Sequence, residues 1–282
     1  MTKNITEERI TNEEIEIHLL LEAINMKYGY DFRNYSSAHM KRRINYRMSV
    51  DGIVSITEMQ HKILYDKEFF NLVLSDFSIN VTEMFRDPSF YRAFRKDVIP
   101  ILKTYPFIRI WHAGCATGEE IYSMAILLKE EGLYDRAQIY ATDFNKIVLQ
   151  KAKDGIYPLS DIKEYTHNYQ LAGGKSSFSD YYIAQYDSVI FEPSLKKKIT
   201  FAEHNLVTDG VFGEMHVIIC RNVLIYFNKE LQSRVIKLFS DSLSNGCFLC
   251  LGSKENIKFS TSADNFEEVV SSEKIYRKKY LL

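Results

Sequence analysis

Much that would classify this chain at a glance is missing from it. No apolar run approaches the ~20 residues needed to cross a bilayer, and the opening MTKNITEERITNEEIEIH lacks the apolar core of a secretory signal. A cytoplasmic protein without membrane insertion is the expectation. Neither sign of charge is in excess: 36 Lys and Arg against 37 Asp and Glu leave a net charge of -1. Nothing global therefore attracts nucleic acid, and any basic partner surface has to be local. The four cysteines, Cys115, Cys220, Cys247 and Cys250, sit in apolar runs without paired spacing, which suits reduced, buried thiols. Cys247 and Cys250 resemble C-x-x-C, yet in the strand reading of GCFLCLG residues three apart face opposite sides. The seven histidines show no H-E-x-x-H or other ligand spacing, so no metal site is expected. Internal repeats and low-complexity tracts are also lacking.

With 282 residues, 46% hydrophobic and 13% aromatic, the chain has room for one large or two modest domains. Two compositions divide it. Residues 1 to about 75 read as charged helices, with IEIHLLLEAINMKYG closing on Gly29 and AHMKRRINYRMSVDG closing on Gly52. Residues 76–100 form a linker too rich in functional groups, SINVTEMFRDPSF, to be a spacer. From 101 to 282 strands alternate with helices, the pattern of a parallel sheet wrapped by helices. The final EKIYRKKYLL reads as a strand that finishes the sheet antiparallel. Between about 157 and 198 the rhythm breaks into a tyrosine-rich stretch too long for a plain connection, read here as a small β insert.

The densest signal is FIRIWHAGCATGEEIYSMAILL, a strand opening through Gly114 and Gly118 into an amphipathic helix, followed by Asp143 at the end of QIYATD. Such a turn lets backbone N–H groups approach a ligand, and the later acid can accept two ribose hydroxyls. That outlines an adenosine-cofactor site. A dinucleotide fingerprint would need glycine where Ala116 and Glu119 stand, so pyrophosphate is poorly served. An acid at Glu119 repels a phosphate but suits a cationic amino group or a sulfonium centre.

SINVTEMFRD, WHAGCATGEEIYSMAILL, ATDFNKIVLQKAKDGIY, FAEHNL and IICRNVLIYF occur in order, and together they resemble the CheR-type chemoreceptor glutamate methyltransferases. YGYDFRNYSSAHMKRRINYRM looks like that family's substrate-facing helical part, so the likeness covers nearly the whole chain. The resemblance implies a Rossmann-like class I methyltransferase domain of α/β class with a small β insert, preceded by an all-helical N-terminal domain. It implies transfer of methyl from S-adenosylmethionine to glutamate side chains of the cytoplasmic helical bundle of chemoreceptors, with S-adenosylhomocysteine as the other product. By the same resemblance Glu119 would bind the cofactor's methionine portion, Asp143 its ribose, Phe144 the adenine face, and Asn205 with Leu206 the adenine edge. Gly114, Asn80, Thr82, Arg86, Arg221 and Asn222 would complete the cofactor site, with Arg86 and Tyr226 placed for the substrate carboxylate.

The chemistry is consistent with those residue types. A glutamate carboxylate with a pKa near 4.3 is already ionised at neutral pH, so it has to be aligned rather than deprotonated. Arg86 offers a planar fork for that alignment. In AHMKRRINYRM the helical repeat puts Met40, Ile44 and Met48 on one arc and Arg42, Arg43 and Arg47 beside it, a lopsided basic face suited to docking an acidic helix. The insert is longer than in relatives that tether to a receptor's C-terminal pentapeptide, and it carries Gly173, Gly174 and many tyrosines, which speaks against such a tether. The competing readings are a methyltransferase for another protein or small-molecule carboxylate, a signalling adaptor that binds cofactor without turnover, and a nicotinamide enzyme that lacks the phosphate glycines.

Overall fold

The computed structural model describes residues 11–78 and 82–280, and its contacts divide the chain into two units, Met1–Ile79 and Asn80–Leu282. In the first unit four helices are described: α1 (Asn12–Tyr28), α2 (Ser37–Asp51), α3 (Ile56–Tyr65) and α4 (Lys67–Phe77). Their ends follow from local chemistry. Thr11 and Glu14 form a reciprocal capping box that satisfies orphan amides at the start of α1. Gly29 and Gly52 end α1 and α2 in the left-handed conformation, at φ 78° and 65°, where a side chain would be strained. Leu20, Ile24, Met40, Ile44, Met59, Ile63 and Val73 form the buried interior.

In the second unit, α5 (Pro88–Ala93) runs through a π-helical turn (Phe94–Val98) into α6 (Ile99–Leu102). The linker expected at 76–100 is thus divided: its first residues finish α4, and Phe90, Tyr91, Phe94, Val98 and Ile99 are core. Then follow β1 (Ile108–Ala113), α7 (Glu119–Glu130), β2 (Ala137–Asp143), α8 (Lys146–Asp154), β3 (Ile156–Pro158), α9 (Ile162–Leu171), β4 (Tyr182–Gln185) and β5 (Ser188–Phe191). The chain closes with β6 (Ile199–Glu203), β7 (Met215–Cys220), α10 (Lys229–Ser242), β8 (Leu243–Leu251), β9 (Phe266–Val270) and β10 (Ile275–Lys278).

Seven strands form one sheet in the order β6-β2-β1-β7-β8-β10-β9. The first five run parallel, while β10 pairs antiparallel with β8 and β9. The direction of strand progression reverses between β1 and β7, and ligands of open α/β sheets bind in the crevice outside the strand carboxyl ends at such a switch point. All four cysteines are buried and free, and burial raises the pKa of each thiol, which keeps it protonated and inert.

The insert is a three-stranded antiparallel sheet, β3-β5-β4, plus the helix α9. Its tyrosines largely pack. Tyr157, Tyr165, Tyr169 and Tyr181 are buried, and a hypothetical Cβ on Gly174 would stand 2.2 Å from the Tyr169 ring. Among the described residues no helix is long and apolar enough to cross a membrane.

Candidate active site

Four neighbouring strands, β6, β2, β1 and β7, end at the same edge of the sheet, and each delivers a residue or loop singled out by the sequence. After β1 the chain turns sharply, with left-handed backbone at Gly114 (φ 78°), Ala116 (φ 48°) and Gly118 (φ 96°). The Gly114 and Cys115 amides both donate to Thr142 O at 2.9 Å, which ties the turn to β2. Space as well as φ demands the two glycines. A Cβ on Gly114 would stand 2.7 Å from Val223 Cγ2, and one on Gly118 would stand 2.8 Å from Ala152 Cβ and 3.1 Å from the Tyr157 hydroxyl.

Glu119 opens α7 and is buried at 6% exposure, where Thr117 donates its hydroxyl at 2.7 Å. Burial pushes its carboxyl up to about 7, with the charge of Asp161 adding to the shift. Among the described residues no ion pair joins it to a cation. A buried acid in that condition is stabilised by a cationic ligand group, which matches the ammonium or sulfonium of S-adenosylmethionine. Asp143, at the end of β2, is 7% exposed and accepts from the Ala116 amide at 3.0 Å and the Asn145 amide at 2.9 Å. Burial still raises it to about 6 against the opposing pull of those amides. Each of its oxygens keeps acceptor capacity for a ribose hydroxyl. Both acids therefore fit the cofactor that the sequence implies.

Phe144 is half-buried beside Asp143. In the turn after β6, Asn205 Oδ1 accepts from the Val207 amide at 3.0 Å while its own N–H bonds Asp209, leaving the side-chain amide nitrogen as its possible base-edge donor. Leu206 is buried next to it. Thr82 and Tyr226 are half-buried, and Asn80 lies outside the described residues.

Arg221 has carboxylate partners. Its side chain is 2% exposed and held by protein groups: Nη2 lies 2.6 Å from Asp87, and Nη1 lies 3.1 Å from Glu120 and 3.2 Å from Arg86 O. The guanidinium also stacks over Phe90, 4.3 Å from the ring centroid. Those Nη groups thus contact the turn that carries Arg86 and the first turn of α7. The Arg86 turn is strained, with Phe85 at φ 53° and Asp87 at φ 55° on either side of Arg86. Non-glycine residues in such conformations cost about 1 kcal/mol or more each and persist when their surroundings impose them.

Two participants escaped the sequence reading. Glu120, the second acid of the pair, bridges Arg221 and His112 Nδ1, the latter at 3.0 Å. Burial alone would raise its pKa, but the His112 hydrogen bond and the Arg221 charge hold it below the usual carboxylate range. Glu255, within GSKENI, is 4% exposed and accepts from the Gly252 amide at 2.6 Å, the Asn222 amide at 3.0 Å and the Ile225 amide at 3.3 Å. It fixes the loop from Asn222, itself left-handed at φ 62°, to Tyr226. The double acid GEE was a visible signal for Glu120; nothing local marks Glu255.

In the helical unit the three arginines of α2 do not share one environment. Arg42 is exposed and approaches His39 Nδ1 at 3.3 Å, while Arg43 is half-buried. Arg47, 11% exposed, pairs with Asp76 at 2.5 Å and Asp51 at 3.3 Å. It clamps α2 to α4, an environment that Arg42 and Arg43 do not share.

Known proteins resemble this chain along most of its length. Residues 80–275 match the family model described as CheR methyltransferase, SAM binding domain, and residues 15–78 match its all-alpha domain. A protein named methyltransferase Cher3 from Pseudomonas putida is 50% identical over 274 residues, spanning 97% of this chain and 100% of that one. A chemotaxis protein methyltransferase of Listeria innocua is 31% identical across 81% of this chain and 85% of its own, and one of Borreliella burgdorferi is 26% identical across 86% and 88%. The chain belongs to the CheR methyltransferase family, with an S-adenosylmethionine-binding domain built on a mostly parallel seven-stranded sheet behind an all-helical one.

Proposed function

We propose that the protein methylates glutamate side-chain carboxylates of chemotaxis receptors in the cytoplasm, forming carboxyl methyl esters. S-adenosylmethionine supplies an electrophilic methyl on a sulfonium centre. The protein's own work is to hold and align: Glu119 faces the cationic portion, Asp143 the ribose, Phe144 the adenine face, and Asn205 with Leu206 its edge. Gly114 and Asn222 shape the backbone around it, and Thr82 completes the rim. Arg86 orients the incoming carboxylate, with Tyr226 hydrogen-bonding it or walling the methyl path.

The observation that carries this reading is the Arg86 turn. An arginine whose backbone is strained on both sides is tied through Arg221 and Glu120 to the first turn of α7, which also carries the buried acid Glu119, suited to a cationic cofactor. A guanidinium carried on the Arg86 turn would match an anionic acceptor. In the helical unit, Arg42 and Arg43 would meet the acidic face of the receptor's helical bundle.

The test is label transfer from methyl-labelled S-adenosylmethionine to a purified receptor cytoplasmic fragment, followed by mild alkali. Label on glutamate released as methanol supports the proposal. Label that survives alkali shows a different acceptor chemistry, and cofactor binding without transfer to any carboxylate would make the protein an adaptor.

A further inference from the structure

We propose that Glu120 is a positioning residue: through Arg221 it sets the strained turn that presents Arg86. The inference rests on the alignment role given to Arg86 above. Glu119 and Glu120 are consecutive on the first turn of α7, about 100° apart around the helix, so they serve different sides. Glu119 is bonded within the cofactor turn, to Thr117. Glu120 reaches across to the end of β7, where its Oε2 meets Arg221 Nη1 at 3.1 Å, and its Oε1 is oriented by the buried His112 on β1. A first-turn acid that served only the helix dipole would need neither partner.

Arg221 continues the chain. Its Nη1 also bonds Arg86 O and its Nη2 bonds Asp87, so one guanidinium grips two successive residues of the turn. Phe85 is held independently: its amide donates to Ser123 Oγ at 2.8 Å, and its buried ring contacts Tyr91, Tyr169 and Phe178. The two carboxylates on Arg221 are not equivalent. The Asp87 side chain is 40% exposed and screened by water, whereas Glu120 is 18% exposed and pairs with the buried charge more effectively. Without the Glu120 charge, the guanidinium is drawn toward Asp87 and solvent, and its hold on the Arg86 carbonyl is the bond that suffers.

The experiment is a double-variant cycle of Glu120→Gln and Arg86→Ala in the full-length protein. Its readouts are single-turnover methyl transfer to a receptor cytoplasmic fragment at saturating S-adenosylmethionine, cofactor affinity by calorimetry, and amide hydrogen exchange. Glu120→Gln is expected to slow transfer about tenfold in the parent and less than about twofold in the Arg86→Ala background, with cofactor affinity unchanged within about twofold. Exchange should quicken in peptides covering 82–90 and stay constant in α10; this readout needs no receptor. An equal slowing in both backgrounds, or unchanged exchange at 82–90, overturns the role of Glu120 and leaves the function intact. Arg86→Ala at the parent rate overturns the Arg86 assignment and this inference with it. If Glu120→Gln does not fold, Glu120→Asp keeps the charge on a shorter arm, and the same cycle and exchange readouts apply to it.

Discussion

Two arginines in the second unit, one half-buried and one buried, invite comparison. Arg95, on the π-helical turn, and Arg221, at the end of β7, each pair with two carboxylates and bond a backbone carbonyl. Around Arg95 the network is closed. Glu130 is also bonded by the Tyr169 and Tyr181 hydroxyls and the Lys175 amide, and Glu131 by Lys103 and Lys175. The carbonyl it grips, Ala172 O, belongs to the insert, so the network fastens the insert to α7. Around Arg221 the network is open: Asp87 is 40% exposed, and the buried Nε makes no hydrogen bond among the described residues. The carbonyl it grips sits in strained backbone. The same chemistry therefore secures the fold at one place and, in the function proposed, holds a reactive geometry at the other, and damage to each should be read in different measurements.

The largest effect expected is on stability. Arg95→Ala leaves the Glu130 carboxylate buried without the one cation it pairs with among the described residues, and breaking a buried pair of this kind costs about 3–5 kcal/mol. Denaturant unfolding should register that loss while methyl transfer per folded molecule stays near the parent value. A rate loss in fully folded Arg95→Ala would erase the distinction between the two arginines.

Next comes the turn after β1, to which Asp143 is bonded. Asp143→Ala should weaken S-adenosylmethionine and S-adenosylhomocysteine together by about 1–3 kcal/mol, the usual loss for a charge-assisted hydrogen bond. Calorimetry with both ligands checks it, and equal affinity in the variant would remove Asp143 from the site.

Protonation sharpens the contrast further. In the folded protein burial raises Glu119 to about 7 and Asp143 to about 6, so without ligand the fold favours their protonated forms. Their contribution to stability is accordingly full below their unfolded values and is lost as pH rises through the folded ones. A cationic ligand prefers ionised Glu119, so cofactor affinity should rise with pH up to about 7 and then level, with proton release on binding below that point. Titrations in buffers of different ionisation enthalpy count the protons, and Glu119→Gln should flatten the profile between pH 6 and about 7.

The smallest effect lies in the helical unit. Reversing Arg42 and Arg43 to Glu should slow transfer to receptor severalfold at low salt and much less at high salt, because screening acts over ~10 Å at 0.1 M. Cofactor affinity should not change. Arg47→Glu differs: it breaks the clamp to Asp76 and should lower thermal stability regardless of salt.

Features written in a few consecutive residues were legible. The glycine turn, Asp143 at a strand end and the helix stops at Gly29 and Gly52 depend on local φ requirements and periodicity, and they appear where the sequence suggests. Long-range partners were not legible. Arg221 meets Asp87 and Glu120 across separations of 134 and 101 residues, and Arg47 meets Asp76 across 29, distances at which no spacing rule operates. The helix in the insert, IKEYTHNYQL, is polar and aromatic enough to read as irregular, and β9 is an exposed edge strand, FEEVV, without an apolar alternation. Glu255 looks like any loop acid until three amides close around it.

Tyr157 gives the insert a meaning beyond its own packing. Its phenol stands on β3 yet donates to Thr117 O at 2.8 Å, inside the turn proposed to receive the cofactor, and the absent side chain of Gly118 makes room for it. A shortened protein in which residues 156–191 were cut away and the ends rejoined would therefore lose part of the wall of its own binding turn, besides baring the Tyr122 ring that stacks on Phe191. The insert cannot be treated as a removable accessory, and chimaeras that exchange it between relatives need to carry a hydroxyl at that position to keep the turn closed.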